Sequence, residues 1–288
     1  MKNYTVVLGV VVCVVTIITA QHIVRAFKIE PTVQNTEKPI TIVIPSFNNK
    51  DWYQKNLDSV WQQQYSNFRV MYVDDNSPDG TAQLVEQYIA THPHQFKIEL
   101  IKNSARRGAL ANLYYAIHSC KDDEIIITLD GDDWFAHPHV LATINHAYQQ
   151  SPILLTYGQY VTSHSAHMGM CRRYPIAVVE HNKYRAYPWL ASHLRSFYAG
   201  LFKKIKKEDL MFEDNFFMVT WDQAIMYPML EMAAGRYQCI SDVLYIYNDE
   251  NPINDWKVRL NLMARAEQVI RHRPAYEPLP ADTAFVTA

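Results

Sequence analysis

The sequence predicts an α/β fold in which a mostly parallel sheet is covered by helices on both faces. Strand-like apolar runs alternate with segments of helical periodicity from residue 40 to residue 157, and this alternation is typical of parallel sheets. The run Ile125–Leu129 is apolar or β-branched throughout, as expected of a strand buried on both faces. Asp130, Asp132 and Asp133 follow it directly. Ligands of such sheets bind just beyond the carboxyl ends of the strands.

Each predicted element has its own local signal. Runs of β-branched and aromatic residues bounded by turn residues predict strands at Ile40–Ile44, Phe68–Val73, Lys97–Ile101, Glu124–Leu129, Ile153–Tyr157 and Val243–Tyr247. Apolar residues at helical spacing predict helices at Asp51–Gln64, Thr81–Thr91, Ala109–Cys120, Val140–Gln150, His193–Leu210, Trp221–Ala234 and Trp256–Arg271. The segment Tyr160–Tyr187 lacks a clear period, and we expect a long irregular excursion, which in a compact domain is often functional.

The chain is predicted to have four segments. They are an N-terminal transmembrane signal-anchor (1–22), a polar stalk (23–38), a globular domain (39–272) and a disordered tail (273–288). The apolar stretch from Tyr4 to Ala20 has about the length of the shortest transmembrane helices, near 17 residues. We therefore expect a single-pass membrane protein, of a bacterial inner membrane or a secretory-pathway membrane. A cleaved signal peptide is the alternative, although Ile18 fits a small-residue cleavage site poorly.

Composition excludes other classes of protein. The formal net charge is −2, so no global field favours nucleic acid, and no nucleic-acid partner is expected. The four cysteines show no CxxC spacing, which supports neither a zinc site nor a disulfide framework.

The carboxylates that follow the fourth predicted strand indicate a metal site. Asp130, Asp132 and Asp133 repel one another unless a cation joins them, and a divalent cation that carries phosphates fits this position. An Asx-rich turn is the alternative, but it explains one or two aspartates and not three. A second acidic loop, Asp74–Asp75, follows another strand of the same predicted sheet, where a carboxylate can bind a ribose or a base.

Three short motifs, taken in order, resemble family 2 glycosyltransferases with the Rossmann-like GT-A fold. They are Ile42–Asn48 (IVIPSFN), Val73–Ser77 (VDDNS) and Leu129–Asp133 (LDGDD), and the resemblance runs from about residue 40 to about residue 258. It implies an inverting enzyme that takes a sugar from a nucleoside diphosphate donor, expected to be a uridine diphosphate sugar. It also implies Mn²⁺ or Mg²⁺ as cofactor. The expected acceptor is a hydroxyl group of a glycan or a lipid.

The resemblance also assigns roles to single residues. It implies that the nucleotide sugar contacts Pro45, Ser46, Phe47, Asp75, Arg107, Asp130 and Gly131. Asp130 and Asp132 would ligate the cation, with Asp133 directly after them. Asp222 would be the catalytic base, and a helix N-cap is its alternative role. His193 and Arg195 are further candidates that could face donor phosphates or acceptor, or else be ordinary polar residues of the surface or core.

Three departures from the family pattern affect these expectations. Ala105–Gly108 (ARRG) stands where the family has Ala-Arg-Asn-x-Gly, so it stays open which arginine, Arg106 or Arg107, if either, meets the nucleotide. Tyr247–Glu250 stands where many members carry a C-terminal histidine, so the third protein ligand of the cation stays open. We interpret Gln268–His272, a near-match to a motif of processive synthases, as chance, because only one membrane span is predicted; the enzyme is expected to be non-processive. The alternative functions are a nucleotidyltransferase, which would need a Gly-rich first loop, and a catalytically silent carbohydrate-binding module.

Overall fold

One eight-stranded sheet organises the described chain, which comprises residues 36–92 and 96–285 of a computed structural model. Its strands are β1 Ile40–Ser46, β2 Phe68–Asp74, β3 Lys97–Lys102, β4 Ile125–Thr128, β5 Trp134–Phe135, β6 Leu155–Thr162, β7 Arg195–Tyr198 and β10 Tyr237–Tyr247. Their spatial order is β3-β2-β1-β4-β7-β6-β10-β5. Two further strands, β8 Met211–Phe212 and β9 Asn215–Phe216, form a separate hairpin.

Helices connect most of these strands. They are α1 Tyr53–Trp61, α2 Thr81–Thr91, α3 Ala109–His118, α4 Val140–Gln150, α5 Ile176–Glu180, α6 Ala199–Phe202, α7 Trp221–Ala233, α8 Asp255–Val258 and α9 Leu260–His272, with 3₁₀ turns at Tyr184–Ala186 and Lys207–Leu210. Pairing is parallel among the first four strands β3, β2, β1 and β4 and between β6 and β10. The prediction of an α/β fold with a mostly parallel sheet is confirmed.

The register of the sheet decides where the site forms. Ser46 pairs with Asp74, and Val43 pairs with Thr128, so β1, β2 and β4 end at the same edge. All residues of β1 and β4 are buried, as the apolar runs predicted. The loops after these strands, which contain the predicted site residues, therefore lie side by side.

The helix predicted at His193–Leu210 is mostly wrong, because only Ala199–Phe202 (α6) is α-helical and Lys207–Leu210 is a 3₁₀ turn. Residues Arg195–Tyr198 form β7, which runs antiparallel between β4 and β6, and every residue of β7 is buried. The spacing of apolar and polar residues distinguishes a helix from a strand, and a short run that is buried throughout has no polar face to show this spacing. The consequence is functional, because Arg195 pairs with Thr128 and so enters the sheet at its carboxyl edge.

An ion pair ties the other end of the first strands together. Glu124 lies just before β4 and accepts hydrogen bonds from the Thr41 hydroxyl (2.5 Å), the Lys121 amide (2.8 Å) and the Arg69 guanidinium (2.9 Å). Burial raises the pKa of Glu124, but these hydrogen bonds and the charge of Arg69 outweigh it, and the net pKa is lowered.

The predicted tail is part of the fold as far as it is described, so the prediction of disorder for 273–288 is wrong for residues 273–285. The Tyr276 amide donates to Glu231 (2.9 Å), and the Leu279 amide donates to the Met232 carbonyl (2.9 Å). Glu231 is fully buried, and its carboxylate also forms a bidentate salt bridge with the Arg185 guanidinium, at 2.6 and 2.8 Å. Together these contacts hold residues 276–279 against α7.

The boundaries at the N-terminal side of the domain shift slightly. The compact unit begins at Glu37, and the Glu37 carboxylate accepts hydrogen bonds from Ser66 and Asn67, so residues 37 and 38 belong to the domain and not to the predicted stalk. The predicted signal-anchor (1–22) and nearly all of the stalk lie outside the described residues. Within the described ranges, no helix has both the length and the apolar character needed to cross a bilayer.

Candidate active site

A cleft of about 680 Å³ opens at the carboxyl edge of the sheet. It is lined by the loops after β1, β2 and β4 and the loop before α3, together with the end of β6 and the turn after it, β7 and the residues before it, the start of α7, the segment after β10 and part of α9. Of the predicted site residues, the following line it: Pro45, Ser46, Phe47, Asp75, Asp130, Gly131, Asp132, Asp133, His193, Arg195 and Asp222. The fold therefore brings together nearly the whole predicted set, although its members are spread over 178 positions of the sequence.

Gly131 allows the loops after β1 and β4 to touch. A Cβ atom at this position would lie 2.5 Å from Asn49 Nδ2 and 2.8 Å from both Cβ and Oγ of Ser46, so no larger residue fits. The Gly131 amide donates to the Pro45 carbonyl (3.1 Å), and Ser46 Oγ is held by the Tyr72 hydroxyl (2.8 Å). The predicted contact residues of these two loops form one packed unit.

Asp75 organises the loop before α3. Its carboxylate accepts hydrogen bonds from the amides of Arg107 and Gly108 and from Asn103 Nδ2, each at 2.8 Å. Gly108 has a φ of +88°, a conformation that favours glycine. Asp75 lines the cleft as predicted, and it also holds the shape of this loop.

Arg106, and not the predicted Arg107, is the arginine of this loop that lines the cleft. Its guanidinium lies 3.7 Å from the centre of the Phe47 ring, whereas the side chain of Arg107 is directed toward Tyr115, 5.7 Å from that ring centre. Arg107 contributes its backbone amide to Asp75. The two neighbouring side chains of this loop point in different directions, and the sequence alone did not show which one faces inward.

Two carboxylates and an imidazole meet on the cleft floor. One ligand atom each from Asp130, Asp133 and His193 lies within 4.8 Å of the others. His193 is buried, its ring stacks on Tyr245 with centroids 4.4 Å apart, and its Nδ1 atom has no hydrogen-bond partner. A buried nitrogen without a partner beside two carboxylates fits a bound divalent cation.

Asp132, a predicted cation ligand, is not a member of this group of three. Its carboxylate accepts a hydrogen bond from Asn251 Nδ2 (2.6 Å). Asp133 accepts from the Tyr245 hydroxyl (2.5 Å) and the Asn248 amide (2.6 Å), and each of its oxygens retains a further lone pair. The segment that replaces the family's C-terminal histidine thus supplies hydrogen-bond donors to the aspartates, and the histidine of the cluster comes from the residues before β7.

The electrostatics of the floor reflect crowded, buried acids. Burial raises the pKa of Asp130 to about 7; Arg195 opposes this, and Asp132 and Asp222 add to it. Burial also raises the pKa of Asp132, and the pKa of Asp133 is raised well above the usual range by burial and by its two acidic neighbours. The pKa of His193 is lowered well below its ordinary value by burial and by the charge of Arg195, so its ring is neutral.

Arg195 connects this cluster with Asp222. Its Nη2 atom donates to Asp222 Oδ2 (3.1 Å) and lies 3.3 Å from His193 Nε2. The Arg195 side chain is 2% exposed, and that of Asp222 is 22% exposed. The helix cap preceding α7 is Thr220, so the alternative of Asp222 as an N-cap is wrong; Asp222 lies in the first turn and faces the cleft.

Three contributors to the site were not predicted from the sequence, namely Tyr245, Asn248 and Asn251. The run Tyr247–Asp255 does contain three asparagines, Asn248, Asn251 and Asn254, around a proline, and amides in a loop after a strand are a usable signal for polar contacts at that edge. Their partners could not be found without the pairing of β10 with β5, because that pairing places the loop against Asp133.

Comparison with known proteins agrees with this geometry. A family model described as glycosyl transferase family 2 matches residues 41–208, which is more than half of the chain. The chain belongs to glycosyltransferase family 2. The resemblance seen in the three motifs is confirmed.

Curated relatives of this family 2 glycosyltransferase match only in part. An uncharacterized glycosyltransferase of Haemophilus influenzae is 29% identical over 113 residues, which is 39% of this chain and 35% of that protein. The poly(ribitol-phosphate) β-glucosyltransferase of Bacillus spizizenii is 33% identical over 119 residues, 40% of this chain and 18% of that protein. The matched stretch thus spans about a third or less of the length of these relatives.

Solved structures share the fold. The mannosyltransferase PcManGT of Pyrobaculum calidifontis, in complex with GDP-Man and Mn²⁺, has a TM-score of 0.57 at 19% identity and covers 90% of this chain and 73% of its own. S. aureus TarS 1-349 in complex with UDP-GlcNAc has a TM-score of 0.54 at 15% identity, covering 74% of this chain and 59% of its own. The described domain therefore has a GT-A-like fold.

Proposed function

We propose that this family 2 glycosyltransferase moves a sugar from a nucleoside diphosphate donor to an acceptor hydroxyl, with inversion at the anomeric carbon and with a divalent cation. The observation that carries the proposal is the shared arginine. One guanidinium nitrogen of Arg195 contacts both His193 of the cation cluster and Asp222, so the candidate base lies directly beside the place where a diphosphate would be held. The complexes of PcManGT with GDP-Man and of TarS with UDP-GlcNAc support a nucleotide-sugar donor on this fold.

The donor's base would lie at the loops after β1 and β2. Phe47 offers an aromatic face, Arg106 covers that face at 3.7 Å, and both line the cleft. A planar base can stack there, on the ring or on the guanidinium. Asp75 stands at the same end of the cleft, where its carboxylate can accept a hydrogen bond from the nucleoside.

The cation would be held by Asp130, Asp133 and His193, with Asp132 beside them in the cleft. When bound, it would act as a Lewis acid on the leaving diphosphate. Two carboxylates and an imidazole suit Mn²⁺ better than Mg²⁺, which prefers oxygen ligands alone. We therefore favour Mn²⁺ among the two cofactors considered.

Asp222 would remove the acceptor proton. Arg195 holds Oδ2, and no hydrogen bond to Oδ1 is found among the described residues, which leaves Oδ1 for the acceptor hydroxyl. As the acceptor oxygen bonds to the anomeric carbon, the bond from that carbon to the diphosphate oxygen breaks. The proton passes to Asp222, and the electron pair leaves with the diphosphate, so one in-line displacement gives inversion.

A donor screen tests this function. UDP-glucose, UDP-GlcNAc and GDP-mannose would be incubated with the full chain, with Mn²⁺, with Mg²⁺ or with EDTA, and nucleoside diphosphate release would be measured. We expect release from at least one donor, abolished by EDTA. Binding of Mn²⁺ followed by electron paramagnetic resonance should show nitrogen hyperfine coupling that His193→Ala removes. Equal release in EDTA would overturn the metal dependence, and coupling that persists in His193→Ala would overturn the ligand assignment.

A further inference from the structure

Part of the cleft lining lies outside the set of residues proposed to hold the nucleotide sugar. It comes from the segment before β7, the first turn of α7 and one side of α9. The Thr220 hydroxyl donates to the Met263 carbonyl (3.5 Å), so α9 meets the start of α7 here. Asp222, the candidate base, lies in the same turn of α7. We call this part of the lining the distal subsite, and its members are Trp189, Trp221, Gln223, Met263 and Glu267.

Arg271 and Tyr227 hold two members of the distal subsite in place. Arg271 donates to Glu267 Oε1 (2.7 Å) and to the carbonyl of Tyr187 (2.8 Å). The ring of Trp189, two residues further along the chain, packs against the ring of Tyr227 with centroids 5.1 Å apart, and the Arg271 guanidinium lies 5.3 Å from the same tyrosine ring. Trp189 and Glu267 are thus both positioned around Arg271 and Tyr227.

Gln223 contributes a buried polar atom that has no partner. The residue is 7% exposed and lines the cleft, and its Oε1 atom accepts no hydrogen bond from the described chain. A buried acceptor in this state lowers the stability of the fold, so it calls for an explanation. A ligand that donates a hydrogen bond from within the cleft would supply one.

The charges around the distal subsite favour a neutral ligand. Arg195 is paired with Asp222, and Arg271 is paired with Glu267. Among the described residues no hydrogen bond to Glu267 Oε2 is found, so this oxygen and Gln223 Oε1 offer acceptors and not donors. An anionic group would be repelled by the two carboxylates, whereas hydroxyl groups can donate to both oxygens.

We propose that the distal subsite binds a sugar ring of the acceptor. Hydroxyl groups of that ring would donate to Gln223 and Glu267, and its C–H surface would pack against Trp189, since small-molecule sites combine apolar lining with a few placed polar groups. The proposal rests on the proposed function: one further hydroxyl oxygen of the ring bonds to the anomeric carbon of the nucleotide sugar, the bond from that carbon to the diphosphate breaks, and the hydroxyl proton passes to Asp222. A purely aliphatic acceptor would leave Gln223 without a partner.

Saturation-transfer NMR on the full chain tests the binding. The probes are methyl glycosides of glucose, galactose, mannose and N-acetylglucosamine, in the presence of UDP and Mg²⁺. We expect saturation of the ring protons of at least one glycoside, and Trp189→Leu should weaken its Kd about tenfold. Trp52→Leu is the matched control, because Trp52 is half-buried and does not line the cleft, and it should leave the Kd unchanged. No saturation of any glycoside, or the same Kd in Trp189→Leu as in the unaltered chain, would overturn the proposal.

Gln223→Met separates a ligand contact from a structural role. Methionine removes the unpartnered amide and keeps the length of the side chain, so the urea midpoint should stay the same or rise while the glycoside Kd weakens about tenfold. Tyr227→Phe is the control: the Tyr227 hydroxyl is also buried without a partner, but Tyr227 does not line the cleft, so its Kd should not change. A lower urea midpoint with an unchanged Kd in Gln223→Met would assign the amide to folding and contradict the contact.

Release of nucleoside diphosphate separates this inference from the proposed function. If both hold, the glycoside that binds also raises the release and gains one sugar, detected by mass spectrometry. If Trp189→Leu weakens glycoside binding but no nucleotide sugar is cleaved, the proposed function fails and the sugar site stands. If nucleoside diphosphate is released with a long-chain alcohol as acceptor while no glycoside binds, the proposed function holds and the sugar site is refuted.

Discussion

Replacing Asp222 by asparagine gives the sharpest test of the mechanism, since it removes the charge and leaves the shape nearly unchanged. Asparagine cannot accept the proton of the acceptor hydroxyl, so turnover should fall by roughly 10²- to 10⁴-fold, the usual contribution of a positioned base. Each factor of ten corresponds to about 1.4 kcal/mol in the activation free energy, so the expected loss is about 3 to 5 kcal/mol. Metal-dependent affinity for nucleoside diphosphate should change little, because Asp222 is not a member of the cation cluster.

The structure adds a stability cost to this substitution. Asp222 is the ion-pair partner of Arg195, whose side chain is 2% exposed, and removing one partner of a buried pair costs about 3 to 5 kcal/mol. Asp222 is 22% exposed, the asparagine oxygen can still accept the hydrogen bond, and Asp130 remains near the guanidinium, so we expect about 1 to 2 kcal/mol. Chemical denaturation of both proteins measures this difference.

The control is the double variant Arg195→Met with Asp222→Asn. If the stability loss in Asp222→Asn comes from a stranded guanidinium, the double variant should recover part of the free energy of unfolding while turnover stays low. A transfer rate near wild type in Asp222→Asn would refute the base assignment. Attention would then move to Asp249, Asp255 and Glu267, the other carboxylates that line the cleft. Glu213 and Asp214, the acidic pair that precedes Asp222 in the sequence and would be the next candidates from sequence alone, do not line the cleft, and Glu213 pairs with Arg265 at the surface.

Three further substitutions test the packing at Gly131 and two ion pairs of the surrounding fold. Gly131→Ala should abolish metal-dependent nucleotide binding in calorimetry and cost about 1 to 3 kcal/mol of stability, because the added methyl overlaps Asn49; normal affinity would contradict the packing argument. Glu124→Gln should destabilise by about 1 to 3 kcal/mol at pH 7. Folding lowers the pKa of Glu124, so the stability that its charged carboxylate contributes is fully present above pH 4.5. This stability is lost as the pH falls through the lower pKa of the folded state. The free energies of unfolding of the two proteins, measured in urea, should therefore converge below that lower pKa. Glu231→Gln should cost about 3 to 5 kcal/mol, whereas Glu213→Gln, which breaks a surface pair, should cost less than about 1 kcal/mol in the same denaturation assay.

Local patterns predicted the first half of the fold well. The helices Thr81–Thr91 and Val140–Gln150 occur with the predicted bounds, and the first four strands differ by one or two residues at their ends. Every pairing among these four strands is parallel, as the alternation of strands and helices predicts, so local alternation and global topology agree, although β4 pairs with β1 from 85 positions away. We therefore expected Pro45–Phe47, Asp75 and Asp130–Asp133 in loops at one edge of the sheet, and these residues do line one cleft.

The second half depended on long-range pairing that no local pattern shows. β7 lies between β4 and β6 although 66 residues separate Thr128 from Arg195, and its short buried run carries no period that identifies a strand. β10 places the asparagine loop against Asp133 only through its pairing with β5. When a polar side chain from a distant segment supports a site, its hydrogen-bond partner is determined by tertiary contacts. The residue type alone does not identify that partner.

The charge balance of the cleft floor explains why the acids are arranged in this way. Burial raises the pKa values of Asp130, Asp132 and Asp133, the positive charge of Arg195, which is shared with Asp222, opposes this rise at Asp130, and His193 is neutral. Buried acids with too few positive partners have raised pKa values, so the arrangement is unfavourable for the folded chain by itself. A divalent cation would restore the balance and return the carboxylates to their charged form. Within the described chain, the place where buried acids are most crowded is thus also the place best suited to hold a cation and a diphosphate. This is expected where function, and not stability, has determined the residues.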